Sequence, residues 1–188
     1  MTTSQKKTTM RLPVISRIHL FLLAGSLALL TTGCFHYSFN TGSIDKRVKT
    51  IRINYIDNKA RYVNPQLSPQ LTDRLRQKVN SQSGKTLTQA DNADFDISGW
   101  VSDYSFTTAA ISANKSATNR LNISVHIVFK NKLDPEGKTI QPKDFEADVT
   151  RSFDFDANIS IQQAESQLNE SIMKNLSDEI FNRIFSNW

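Results

Sequence analysis

The chain has 188 residues, with 23 Lys and Arg against 18 Asp and Glu, a formal net charge of +5 and one cysteine. Four of the cations, Lys6, Lys7, Arg11 and Arg17, lie in the first 33 residues, which hold no acid, so 19 (23 less 4) cations face 18 acids in the remaining 155 (188 less 33). A body that near to neutral gives no footing for a nucleic-acid protein, which needs a dense basic face. A lone cysteine rules out an internal disulfide and a cysteine-cluster metal site.

Behind the four cations runs an apolar stretch from Ile18 to Leu30, broken only by His19, Gly25 and Ser26. Positive charge followed by a short apolar run is the order of a secretory signal, and the run falls short of the ~20 residues that span a bilayer. It ends in Leu29-Leu30-Thr31-Thr32-Gly33-Cys34. The small Thr32-Gly33 pair before a cysteine suits a lipoprotein signal peptidase, although Thr31 stands where such sites usually carry Leu. Residues 1–33 are therefore expected to be removed. Cys34 is expected to take a diacylglycerol on sulfur and a further acyl chain such as palmitate on its amine. Residues 34–46 read as a lipidated tether or an edge segment, and 47–188 as a single domain of a size that buries about 70% of its unfolded surface.

Val48 to Ile56 alternates, with Ile51, Ile53 and Tyr55 on one face and Thr50, Arg52 and Asn54 on the other, predicting a half-buried strand. Asp57 to Pro65 is a loop carrying Lys59 and Arg61. Ser68-Pro69 is expected to open a helix, Ser68 as cap and Pro69 in the first turn, with Leu67, Leu71, Leu75 and Val79 facing a core and Gly84 as stop. Thr86 to Gln89 reads as a brief strand. Asp91, Asp94 and Asp96 lack the glycine and terminal glutamate of a calcium loop and read as a solvated turn.

Phe95, Ile97 and Val101 share one phase of the next strand, whereas Trp100, Tyr104 and Phe106 share the opposite one, with Gly99 at the changeover. Either a bulge returns these aromatics to the core or they form a patch on the second face. Ala109 to Asn119 reads as a small, polar tip between strands, holding Lys115. Arg120 to Lys130 is the clearest strand, with Leu121, Ile123, Val125, Ile127 and Phe129 on one face and Asn122, Ser124 and His126 on the other. Asp134-Pro135 and Gly137 mark a loop. Phe145 to Phe155 alternates again, except that Arg151 falls in the apolar phase and is expected near the sheet end. The last element is a helix from about Ile161 to Phe185, opened by a Ser160/Gln163 capping box. A sheet with one apolar face and two amphipathic helices predict an α+β two-layer sandwich, its sheet mixed and mostly antiparallel, with both helices on one face and the other face open.

No nucleophile motif, zinc-protease motif, phosphate-cradling glycine loop or placed histidine points to catalysis. The alternating pair Asp154 and Asp156 is explained by a wet strand face, and His126 by a surface side chain. The sequence thus predicts no catalytic residue, cofactor or metal site.

Cys34 with Tyr37-Ser38-Phe39, Val63-Asn64-Pro65 with Leu67-Ser68 opening a helix, Asn119-Arg120-Leu121 opening the alternating strand, and the terminal Phe185-Ser186-Asn187-Trp188 together resemble the LptE family, the lipopolysaccharide-assembly lipoproteins, in the branch found in Bacteroidota. The resemblance covers essentially the whole chain after Cys34. It implies a lipoprotein anchored on the periplasmic side of the outer membrane that plugs the LptD β-barrel, supports its assembly and helps deliver lipopolysaccharide to the cell surface. By position, Lys115 and Arg120, with Lys59 and Arg61 behind them, are the candidates for contact with a lipopolysaccharide phosphate. Solvated loop charges are the plainer reading of the same four residues. Another periplasmic interaction module, such as a regulator docking on a peptidoglycan synthase, is the alternative role, and an enzyme acting on envelope glycans stands third.

Overall fold

A computed structural model describes residues 44–112, 115–134, 136 and 140–186, the side chains of 109–112, 115 and 116 excepted. The expectations for Cys34, for the signal segment and for Trp188 lie outside the described residues. The chain runs β1 (Thr50–Asn58), α1 (Leu67–Ser83), β2 (Thr86–Leu87), β3 (Phe95–Ser112), β4 (Lys115–Asn131), β5 (Phe145–Asp156) and α2 (Ile161–Phe185). The strands form one sheet in the order β2-β1-β3-β4-β5, with β1 parallel to β2 and β3 and the rest antiparallel. Both helices lie on one face, giving the α+β two-layer sandwich with an open second face.

Alternation sets which side chains the helices cover. Ile51 and Ile53 of β1, Phe95, Ile97 and Val101 of β3, and Leu121 through Phe129 at every second position of β4 are at most 1% exposed. They meet Leu67, Leu71, Leu75 and Val79 of α1 and Ile172, Leu176, Ile180 and Ile184 of α2 in one cluster. Burying each such side chain contributes roughly 1.5–3 kcal/mol. The helices run side by side in the same direction. Asn169 Nδ2 donates to Gln70 Oε1 at 2.9 Å, Arg74 pairs with Glu170, and Lys78 Nζ sits 2.8 Å from Asp178 Oδ1. Ile44 packs against the core, and Lys85 Nζ donates to the Asp45 carbonyl, so the fold reaches back at least to Ile44.

Register slips break the simple alternation at two places over the core, and two more lie out along the β3–β4 pairing, after Thr108 and after Ala110. In β1 the register slips between Ile53 and Ile56, which turns Tyr55 outward, 51% exposed, and brings Ile56 into the core instead. The Ile56 N–H then donates to Thr72 Oγ1 of α1 at 3.1 Å, and that hydroxyl donates to the Ser68 carbonyl at 2.7 Å. In β3 the slip falls between Val101 and Asp103, so Tyr104 and Phe106 return to the inner face while Trp100 stays on the outer one. The expected aromatic group is thereby divided. Gly99 is no bulge: a Cβ there would sit 2.4 Å from the His126 carbonyl oxygen, so it marks a close approach of β3 to β4.

Three further expectations are corrected. Ala109 to Asn119 is mostly strand, because Thr108 pairs with Asn119, Ala110 with Thr118 and Ser112 with Lys115, extending β3 and β4 as a two-stranded ribbon. The cap of α1 lies upstream of Ser68: Gln66 is the N-cap, its N–H donates to Asn64 Oδ1 at 2.9 Å, and Ser68 is buried inside the first turn. Arg151 sits mid-strand in β5, opposite Ile123, where Glu179 of α2 neutralises it. Gly84 closes α1 at φ +63°, and Ser160 Oγ caps α2 by accepting from Gln163 N at 3.2 Å.

Candidate functional site

The uncovered sheet face is polar and internally paired. A cross-strand row joins Trp100 of β3, His126 of β4 and Asp148 of β5, in direct register. Trp100 stacks on His126 with ring centroids 4.4 Å apart, and Lys59 Nζ lies 4.0 Å from the Trp100 ring. His126 Nδ1 lies 2.8 Å from Asp148 Oδ1 and Nε2 lies 3.3 Å from Glu146 Oε2. The hydrogen bond to Asp148, reinforced by Glu146, raises the His126 pKa above its usual 6.5 despite partial burial. Hydroxyls and amides continue the face toward the ribbon: Ser124 with Thr150, Ser152 with Asn122, then Arg120 with Asp154.

At the other end of the face, Asp96 is the centre of a buried polar knot. Arg52 donates to both of its oxygens, Asn54 Nδ2 to one at 2.6 Å, and Lys132 Nζ lies 2.8 Å away. Burial alone would raise this carboxyl, but the hydrogen bonds from Arg52, Lys132 and Asn54 outweigh it and hold the pKa at about 2. Asp94 accepts from the Lys49 and Thr50 N–H groups at 2.7 and 2.9 Å. The expected solvated turn is thus a brace between the start of β1 and β3, and its carboxylates are committed to the fold. Among the described residues, no group of three or more His, Cys, Asp or Glu is placed to hold a metal ion.

The four cations singled out from sequence are not brought together. The Lys59 N–H donates to the Val101 carbonyl, which fixes its level on the sheet, and Arg61 is exposed just beyond. Arg120 is opposite Thr107, and Lys115 opposite Ser112, which at ~3.3 Å per residue places them about 20 and 35 Å farther along β3. Arg120 is already engaged by Asp154 at 2.6 and 3.0 Å, and the Lys115 side chain lies outside the described residues. What sequence reasoning missed is a second cluster, on the helix side. Tyr62 stacks on Tyr104 at 5.3 Å, Tyr104 OH donates to Glu165 Oε1 at 2.8 Å, and Asn64 Nδ2 approaches the same phenol at 3.4 Å. These residues come from a loop, a strand and a helix, so no local spacing could announce them.

Comparison with known proteins bears on the open readings of this sandwich. The sequence pattern of the LptE family, described as lipopolysaccharide-assembly, matches residues 48–184. The chain belongs to the LptE family. The LptE match spans every strand and helix but the last residue of α2, so the family is matched over the sandwich itself. No curated protein matches the chain. Among solved structures, the minor lipoprotein of Acinetobacter baumannii is similar at 14% identity and a TM-score of 0.46, covering 73% of this chain and 90% of that one. Lipoprotein B of Nitrosomonas europaea is similar at 10% identity and a TM-score of 0.42, covering 80% and 86%. Rare lipoprotein B of Shewanella oneidensis is similar at 16% identity and a TM-score of 0.36, covering 72% and 90%. Among the described residues no helix is long and apolar enough to cross a membrane.

Proposed function

We propose that the protein is an outer-membrane lipoprotein, held on the periplasmic side by acyl chains on Cys34 after removal of residues 1–33, that works as plug and assembly partner of an LptD-type β-barrel in lipopolysaccharide transport. The observation that carries this reading is the LptE match over 48–184, coextensive with the sandwich. The sequence before it supports the anchor, since several buried acyl chains at about 0.8 kcal/mol per CH₂ hold a domain to a membrane without a spanning helix. The role is one of binding and scaffolding: the open face is a lattice of paired side chains, and its carboxylates serve the fold. The proposed tether is residues 34–46, whose last residues, from Ile44 on, already pack against the domain of residues 47–188.

For lipopolysaccharide contact the geometry favours Lys59 and Arg61 over Arg120. Lys59 and Arg61 are exposed neighbours at the end of β1, whereas Arg120 is matched by Asp154. Lys115 keeps its place at the ribbon tip. Replacing Lys59 and Arg61 by Glu should weaken lipopolysaccharide binding more than Arg120→Glu does; the reverse order would remove this assignment. The wider reading is tested by depletion. Loss of the protein should leave the barrel incompletely assembled, running as unfolded chain on unheated gels, and lower surface lipopolysaccharide. A fully assembled barrel with undiminished surface lipopolysaccharide would contradict it.

A further inference from the structure

A cleft of about 360 Å³ opens between the loop after β1 and the first turns of α2, on the side of the molecule away from the paired sheet face. Its size falls within the ~300–1,000 Å³ range of small-molecule sites. Tyr62 lines it, its ring stacked on Tyr104 and in a T-shaped contact with Phe106 at 5.6 Å, the residue as a whole 39% exposed. The lining also includes Asn64, Gln66, Gln162, Glu165 and Asn169. Glu165 is held by the Tyr104 hydroxyl, and Asn169 Nδ2 by Gln70 Oε1, so both are fixed before any ligand arrives.

The chemistry of this lining is selective. Side-chain amides offer donors and acceptors together, and the Glu165 carboxylate, one oxygen of which already accepts from Tyr104, adds a further acceptor, which is the mixture that matches vicinal hydroxyls. A tyrosine ring supplies an apolar face with a polar edge, suited to the C–H side of a pyranose. No Lys or Arg lines the cleft and a carboxylate does, so a phosphate group is disfavoured there. The aromatic wall distinguishes it from a merely wet gap. We infer that this cleft is a binding site for a neutral saccharide, stacked on Tyr62 and hydrogen-bonded to Glu165 and the surrounding amides. The inference stands on these side chains alone, so it survives or fails separately from the anchoring and barrel roles.

The test is saturation-transfer NMR on the full chain in detergent micelles, with two lipid-free probes: a dephosphorylated lipopolysaccharide core oligosaccharide and chitotetraose. Saturation reaching the sugar ring protons of either supports the site. Response to the core alone would assign the ligand to lipopolysaccharide, and to chitotetraose alone, to N-acetylated glycans of the wall type. The transfer should vanish in Tyr62→Ala and fall sharply in the double variant Gln66→Ala with Gln162→Ala, both of which are exposed residues whose loss leaves the core intact. No transfer to either probe, or transfer that the Gln66 and Gln162 variant leaves unchanged, overturns the inference.

Discussion

His126 is where the open face responds to pH. Its two ring nitrogens face Asp148 and Glu146, and its folded pKa is raised above 6.5, first by the bond to Asp148. A raised pKa means that this contribution to stability is complete below about 6.5, where the unfolded chain also binds the proton, and is lost as pH rises through the folded value. Asp148→Asn should move the His126 midpoint, followed by NMR of its ring protons, down toward 6.5; an unmoved midpoint would exclude the pair as the cause. Asp96 behaves oppositely. With its pKa held at about 2, its contribution is present above the ordinary carboxylate range and is lost as pH falls through that range toward 2. Asp96→Asn should therefore flatten the acid limb of stability between about pH 4 and 2, as read by urea midpoints across that range. Gly99 presents a steric case. A Cβ would meet the His126 carbonyl oxygen at 2.4 Å, and since neither backbone can yield, Gly99→Ala should cost on the order of 2 kcal/mol or more. Gly84→Ala meets open space and bears only the left-handed strain of about 1 kcal/mol. Denaturant midpoints of the two variants should fall in that order.

At the level of elements, the bulge in β1 and the helix above it work as one unit. Slipping the register puts Ile56 in the core but takes its N–H out of the ladder, and Thr72 supplies the missing acceptor. Thr72→Val keeps the shape and leaves a buried N–H unsatisfied, for a loss of about 1–3 kcal/mol, whereas Thr72→Ser should restore most of it. Equal stabilities for the two variants would show that the hydroxyl has no such part. The same bulge explains what the sequence conceals. Alternation alone puts Tyr55 with Ile51 and Ile53, and nothing in the run Val48 to Ile56 marks the slip. Long regular patterns were readable: the Leu121 to Phe129 face, the four-residue steps of both helices and the Ser160 cap all stand where their spacing puts them. Features fixed by a neighbour were not. Ala109 to Asn119 has the composition of a loop, yet each half finds the other half and extends the ladder. Ser68 has the chemistry of a cap, yet the helix starts one residue before it, with Gln66 as N-cap, and Ser68 is buried inside the first turn. The cleft beside Tyr62 assembles residues 61 positions apart, Tyr104 and Glu165, which only the fold can juxtapose.

For the whole molecule, layer order divides the tasks. The helices cover one sheet face and bury the apolar side chains, the other face carries cross-strand polar pairs such as His126 with Asp148 and Arg120 with Asp154, and the ribbon of β3 and β4 projects beyond the last pair with β5, Thr118 with Asp156. The family to which the chain belongs is described as lipopolysaccharide-assembly, and its pattern covers this whole sandwich. The most direct measurement is copurification of the full-length protein from detergent-solubilised outer membranes, with mass spectrometry of everything retained and of the N-terminal peptide. The account predicts a large LptD-type β-barrel in stoichiometric amount and a triacylated Cys34 as first residue. Retention of a peptidoglycan synthase without the barrel, or an unmodified Cys34 thiol on the processed chain, would contradict it.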